Sequence, residues 1–387
     1  MNCGKIFLGL FCLVPALPSL SWADEFKVIP FGAVRQEYNN NILFSHHNKE
    51  DDWITTGYFG LKLQEKTERL TADLEARGEA LAYADNNRLN TVDQFYYGNL
   101  SYQFSPKLSL SSSGGYSEDS RSDRDVESSG YALNSETRTR KEYSVSADYI
   151  LNEKMTSFLS YSYLDDDFED SFFDNMTAKN AVIGLTRQLA FTKPTTARFY
   201  SRYSHYDFYS SITENYYFTF GAARQFTEKL NILLDLGPRF TSSRSKFAPI
   251  SSDDSGMGGQ CVIDYKGEVN NYNLRLAHEI SGSSGTSTAT KRTSLNFNYR
   301  HRLTYELTAR LGLDCIYNEA DRRKIDYAND FEELSLSIKP AVRYAFNQDM
   351  YIEGLYKFTE IDDRVGNDDR TRNMIYIFLR YQWPVIE

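Results

Sequence analysis

Arg275, Arg300, Arg310, Lys339, Arg343, Lys357 and Arg380 stand at alternate polar positions of successive apolar–polar tracts near the end of the chain. Arg or Lys residues lining a water-filled path are how a pore favours anions, so this ladder is the first candidate for chemistry. Glu279, Glu306, Asp314 and Glu353 share the same tracts. The pattern therefore also fits a polar wall of cross-strand ion pairs, in which the charges only satisfy one another.

Other reactive side chains form weaker patterns. Carboxylates cluster at Asp165-Asp166-Asp167 with Glu169 and Asp170, at Asp253-Asp254, and at Asp362-Asp363 with Asp368-Asp369. Oxygen ligands of this kind suit hard divalent cations that bridge to lipopolysaccharide phosphates, although the spacing matches no EF-hand and fits solvated loops equally. His46 and His47 lie beside Asp51 and Asp52, but no H-E-x-x-H or G-x-S-x-G motif occurs. Gly256-Met257-Gly258-Gly259 sits where a loop meets a strand and serves the turn. No catalytic residue, cofactor, metal site or nucleic-acid partner is assigned.

The elements that must position these residues follow a hairpin rhythm: tracts of roughly ten alternating apolar and polar residues, joined by connections that are short and long in turn. A bilayer offers no water to backbone N–H and C=O groups, so a spanning segment is a helix or part of a closed sheet. A spanning helix needs about 20 nearly uncharged apolar residues. Here Arg, Asp, Glu or Asn interrupts every apolar stretch of the mature chain, and mean hydropathy is −0.54. Such a chain faces lipid only by sorting side chains with period 2, apolar outward and polar inward. The expected fold is an all-β, antiparallel, up-and-down transmembrane barrel of about eighteen strands, with sixteen as the alternative. An aromatic content of 15% suits the interfacial girdles of such barrels.

The tracts run 26–36, 53–64, 69–82, 94–104, 108–118, 140–150, 155–165, 178–189, 196–207, 214–225, 230–241, 259–267, 270–281, 289–300, 304–316, 332–344, 350–360 and 372–383. Even parity puts both ends in the periplasm. Periplasmic turns are then expected at 65–68, 105–107, 152–154, 227–229, 301–302 and 347–349, with extracellular loops at 39–52, 119–138, 166–176, 242–257, 318–330 and 362–370. Leu70, Ala72, Leu74, Ala76, Gly78 and Ala80 should face lipid, with Asp73, Glu75, Arg77 and Glu79 facing the lumen. Leu230 to Leu236, Leu295 to Tyr299, Tyr305 to Leu313 and Ile375 to Trp383 sort in the same way, which leaves Glu306, Arg310 and Asp314 inside.

At the N-terminus Lys5, the apolar run Ile6 to Leu17 and the small-x-small site Ser21-Trp22-Ala23 read as a signal peptide over 1–23, followed by the barrel over 24–387. Export and a barrel together imply the outer membrane of a Gram-negative bacterium. Cys3 and Cys12 leave with the signal, and Cys261 and Cys315 fall on outward positions of the twelfth and fifteenth tracts, so two free thiols are expected. Tyr381 and Trp383 serve as the aromatic signal for the barrel assembly machinery, followed by the tail Pro384-Val385-Ile386-Glu387.

Val28-Ile29-Pro30-Phe31-Gly32, then Gln36-Glu37-Tyr38-Asn39-Asn40-Asn41-Ile42, then Asp51-Asp52-Trp53-Ile54-Thr55 resembles the opening of the beta-barrel porin 2 family. That family includes outer-membrane barrels associated with exopolysaccharide synthesis and the PEP-CTERM sorting system. Asn40 stands where the family pattern has Asp. The resemblance implies a passive conduit with no catalytic residues, set among outer-membrane lipids and lipopolysaccharide and serving polysaccharide export components. The rival readings are a general diffusion porin for small solutes and a structural or adhesive barrel without an open pore. A general porin carries a long constriction loop folded inward, and the longest loop here, Asp119 to Arg138, is only modestly long. Arg275, Arg300, Arg310 and Arg343 are expected to tune ion preference without holding the fold.

Overall fold

Eighteen antiparallel strands form one sheet in which each strand pairs with its sequence neighbours and β1 pairs with β18, closing a barrel. The computed structural model describes residues 25–122, 124–131, 136–169, 175–283, 288–320, 331–366 and 368–385. The strands are β1 (Glu25–Asn39), β2 (Asp52–Lys66), β3 (Leu70–Tyr83), β4 (Thr91–Ser105), β5 (Leu108–Asp119), β6 (Arg138–Asn152), β7 (Met155–Phe168), β8 (Met176–Leu189) and β9 (Thr195–Phe208). They continue as β10 (Ser211–Gln225), β11 (Leu230–Ser245), β12 (Ser251–Lys266), β13 (Asn270–Ser281), β14 (Thr290–Arg302), β15 (Leu307–Ala320), β16 (Phe331–Ala345), β17 (Met350–Asp363) and β18 (Arg370–Gln382). The expected signal peptide, Asp170, residues 321–330 and the last two residues lie outside the described residues.

Closure is what the side chains require, because it leaves no unpaired edge in the hydrocarbon. Period 2 holds along the strands. On β11, Leu234 and Leu236 are exposed on the outer face, while Asp235 and Arg239 are buried in the lumen. On β3, Lys62–Glu75 and Arg77–Glu79 ion pairs place the odd residues inside, with Leu74 exposed outside. Cys261 and Cys315 are free thiols on outward positions of β12 and β15.

The ladders run further than the apolar alternation does. β7 continues to Phe168, so Asp165 to Asp167 belong to a strand, and β17 continues through Asp363. β12 starts at Ser251, which shortens the connection expected at 242–257 to residues 246–250 and puts Asp253 and Asp254 in the sheet. On these stretches the outer face carries Asp and Ser in place of apolar residues, and the hydrogen-bond ladders persist without them.

The turn expected at 301–302 lies instead at 303–306. The Thr304 hydroxyl accepts from the Glu306 and Leu307 amides at 3.2 and 3.0 Å, and the Leu303 amide donates to the Leu307 carbonyl at 2.9 Å. Tyr305, 91% exposed, and Glu306 therefore belong to a turn, and Glu306 is not a lumen-wall residue.

Candidate functional site

The remaining charged candidates all point inward. Around Glu353, Arg343 Nε donates at 2.8 Å and Arg310 pairs more closely still, so one buried carboxylate holds two guanidinium groups. Asp314 accepts from Lys339 Nζ at 2.7 Å and from Asn296 Nδ2 at 2.8 Å. Gly312 allows this approach, since a Cβ there would stand 2.9 Å from Lys339 Cε. Glu279 pairs with Arg202 at 3.1 Å. Among the described residues Arg275 and Arg300 have no carboxylate partner, and the Arg380 guanidinium lies 4.3 Å from the Phe31 ring centroid. The cross-strand wall thus absorbs four of the seven ladder cations, namely Arg310, Lys339, Arg343 and Lys357, the last through a loop carboxylate.

That loop is the connection between β5 and β6. It enters the lumen, against the sequence expectation that its modest length leaves no inward constriction. In the ring of eighteen strands β14 lies diametrically opposite β5, and the loop reaches it. The Ser128 carbonyl accepts from Arg292 on β14 at 3.3 Å, and Tyr131 Oη donates to Thr290 there at 3.4 Å. On β15, Asn318 Nδ2 donates to the Ser129 carbonyl at 2.7 Å. A single helical turn, α1 (Val126–Ser129), forms the tip, and Gly130 ends it at φ 83°. A Cβ at Gly130 would lie 2.9 Å from Asn318 Nδ2, so both the positive φ and the close approach call for glycine.

Three kinds of contact hold the tip. Val126, 1% exposed, packs with Phe44 of the first loop and Ile361 of β17. Glu127 divides its two carboxylate oxygens between Lys339 Nζ at 2.6 Å and Lys357 Nζ at 2.7 Å. Arg121 pairs with buried Glu37 at 3.1 Å, and Ser122 Oγ donates to the Ile42 carbonyl at 2.9 Å. Burial pushes the Glu127 carboxyl upward, but Lys357 and Lys339 outweigh it and hold the group below the usual 4.5.

At the base of the loop, three guanidinium groups face three carboxylates among the described residues. Arg124 pairs with Asp119 at 2.8 Å, Arg138 with Asp119 at 3.1 Å and with Asp125, and Arg140 with Asp166 at 2.6 Å. Asp166 is buried and faces the lumen, so this part of the expected acidic loop is a structural anchor. Asp254 likewise faces inward, 2.8 Å from Arg239 and 3.3 Å from Lys291. His46 stands 3.5 Å from Asp368. No group of three metal-ligating side chains occurs among the described residues.

The β13–β14 hairpin also leans inward. β12 pairs with β13 only from Gly259 to Lys266. Beyond His278 the strand leaves the wall, Tyr217 Oη accepts from the Ile280 amide at 2.7 Å, and Ile280 packs on Met176, Ala178, Tyr206 and Phe208. Two of the cavities left among the described residues adjoin the loop. One of 240 Å³ surrounds the base of the loop, lined by Asp93, Asp119, Arg124, Arg138 and Arg140 among others. The other, of 590 Å³, lies toward the short turns beneath Glu127, lined by Arg300, Arg310, Lys339, Arg343 and Glu353 among others.

The sequence reading did not find Arg121, Val126, Glu127 or Arg138. The signal available was the apolar Val126 and Tyr131 around Gly130 in an otherwise polar run.

No protein-family model matches the chain, and no curated protein sequence matches it. Solved structures similar to it include Pseudomonas aeruginosa OccK2 (OpdF), with TM-score 0.49 and 10% identity over 94% of this chain and 98% of that one. The outer membrane protein OpdK of the same organism matches with TM-score 0.46 and 10% identity over 92% and 99%. The alcaligin outer membrane receptor FauA of Bordetella pertussis matches with TM-score 0.46 and 11% identity over 92% and 76%. These are outer-membrane barrels.

Proposed function

We propose that this chain is delivered by its signal peptide to the outer membrane of a Gram-negative bacterium. There it conducts small anionic solutes passively through a lumen narrowed by the β5–β6 loop. The observation that carries the reading is the loop spanning the full diameter from β5 to β14 and β15 above a basic cavity. A barrel of this strand number leaves an aqueous channel unless something fills it. Here a loop fills the upper part, and Arg275, Arg300 and Arg380, which have no carboxylate partner among the described residues, face the rest. The outer-membrane setting adds the barrel assembly machinery, reading Tyr381 and Trp383, and lipopolysaccharide as partners.

Export of an extracellular polysaccharide, implied by the resemblance to the beta-barrel porin 2 family, remains the finer alternative. It requires the loop to leave the lumen, because an extended glycan needs the width that the loop occupies.

The test is the reversal potential of the refolded barrel in a planar bilayer under a salt gradient. The structure revises which arginines to replace. Arg310 and Arg343 share buried Glu353, so removing both strands that carboxylate, whereas Arg275 and Arg300 have no carboxylate partner among the described residues. The Arg275→Gln, Arg300→Gln double variant should assemble normally and move the reversal potential toward cations. An open channel with an unchanged reversal potential would refute anion preference.

A further inference from the structure

The loop tip is held by a contact chemically equivalent to cargo binding. Two lysines on adjacent strands, Lys339 on β16 and Lys357 on β17, converge on one carboxylate, each donating to a different oxygen. That carboxylate belongs to the chain itself, at Glu127. Lys357 is 5% exposed, so its ammonium has been largely withdrawn from water, and an ion so placed has a strong requirement for an anion. Lys339 keeps Asp314 as a second partner at 2.7 Å. Losing Glu127 therefore leaves it paired.

The surroundings point to exchange. The 590 Å³ cavity reaches Glu127 and Lys339 from the side of the short turns, and its wall carries Arg300, Arg310 and Arg343. Arg300 lies directly opposite Arg310 in the β14–β15 register, two like charges that a bound anion would relieve. An anion entering there is drawn to the arginines first and then meets the lysine pair. The Glu127 side chain is 45% exposed, so its carboxylate is accessible to a competitor.

We propose that Lys339 and Lys357 form a carboxylate-binding site whose resident occupant is Glu127. A multivalent carboxylate solute displaces Glu127 and so releases the loop tip from the lumen. This rests on the conduit reading above and adds to it the solute class and the means of opening. Val126 supplies a restoring force, because its packing against Phe44 and Ile361 favours return of the tip once the solute has passed.

The experiment is open probability in planar bilayers, with citrate as the probe added on the side of the short turns and sucrose as the neutral control. Wild-type protein should open more often as citrate rises, saturably, and not respond to sucrose. Glu127→Gln should be open without citrate and gain less than twofold from it. The charge swap Glu127→Lys with Lys357→Glu should restore the closed state and lose the citrate response. Heat-modifiable gel migration confirms that each variant folds.

Anion-selective channels whose wild-type open probability ignores citrate would overturn the latch and leave the conduit reading standing. A citrate response retained in the charge swap would also overturn the latch. A barrel that conducts no ions with or without Glu127 would refute the conduit reading itself.

Discussion

Arg138→Met tests whether the base of the loop is a charge-balanced clamp. Arg138 is 2% exposed and bonds Asp119 and Asp125, with Asp166 3.9 Å away. The described cluster has three guanidinium groups, Arg124, Arg138 and Arg140, against Asp119, Asp125 and Asp166. Methionine keeps most of the volume but leaves a net negative charge among side chains that are 10% exposed or less, apart from Arg140. Removing one partner from a buried pair costs about 3–5 kcal/mol. Adding Asp125→Asn restores the balance, so the double variant should recover all but about 1–2 kcal/mol.

The loss should first appear locally, because loop release is less costly than opening the barrel. Chymotrypsin cleavage at Tyr131, which is 5% exposed when docked, reports that release, and urea unfolding in lipid vesicles reports the global part. Cleavage should be fast in Arg138→Met and slow again in the double variant. Equal protection in wild type and Arg138→Met, with equal unfolding midpoints, would refute the clamp.

Other expectations follow from the same geometry. Glu127 is held below 4.5, so its contribution to docking is complete above that pH and is lost as pH falls through its lower, docked value. The groups facing it are Lys339 on β16, paired also with Asp314 on β15, and Lys357 on β17; the lysines stay charged in this range, so open probability should rise only below pH 4.5. Leu234→Arg, on the outer face of β11, should cost about 2–4 kcal/mol in vesicle unfolding, while Arg300→Gln in the wet lumen should change stability by about 1 kcal/mol or less. Cys261 and Cys315 should resist charged maleimides in intact membranes and react once the barrel is unfolded; rapid labelling of the folded protein would show that they do not face lipid.

The strand number and the sorting of faces were legible because lipid and water impose opposite demands on alternate residues. That demand ends where the bilayer ends. Asp165 and Asp167 on β7, and Asp253 and Ser255 on β12, occupy outward positions of ladders that continue past the apolar tracts, so their stretches read as loops although their backbones are paired. Glu306 was misplaced for a different reason. Its position alternates correctly with Leu307 and Ala309, and only the hydroxyl of Thr304, capturing two amides, moves the turn onto it.

The inward loop was hidden by chemistry rather than by length. A charged lumen selects the same residue types as bulk water, so Arg121, Glu127 and Arg138 look identical in sequence whether they are solvated or buried. What distinguishes the two cases is balance. A solvated loop tolerates any charge count, whereas among the described residues that bond around Arg138 three carboxylates meet three guanidinium groups, drawn from β5, the loop, β6 and β7. Buried pairs of this kind add little net stability, since desolvation offsets most of their attraction, but a misdocked loop would leave charges unpaired. Their effect is to fix where the loop sits. At the tip the match is looser: Lys339 retains Asp314 when Glu127 departs, and release is then opposed by Lys357, the Val126 packing and the hydrogen bonds to the Ser128 and Ser129 carbonyls. A loop fixed at its base and exchangeable at its tip is arranged to pivot, and the tip is the part that stands over the basic cavity.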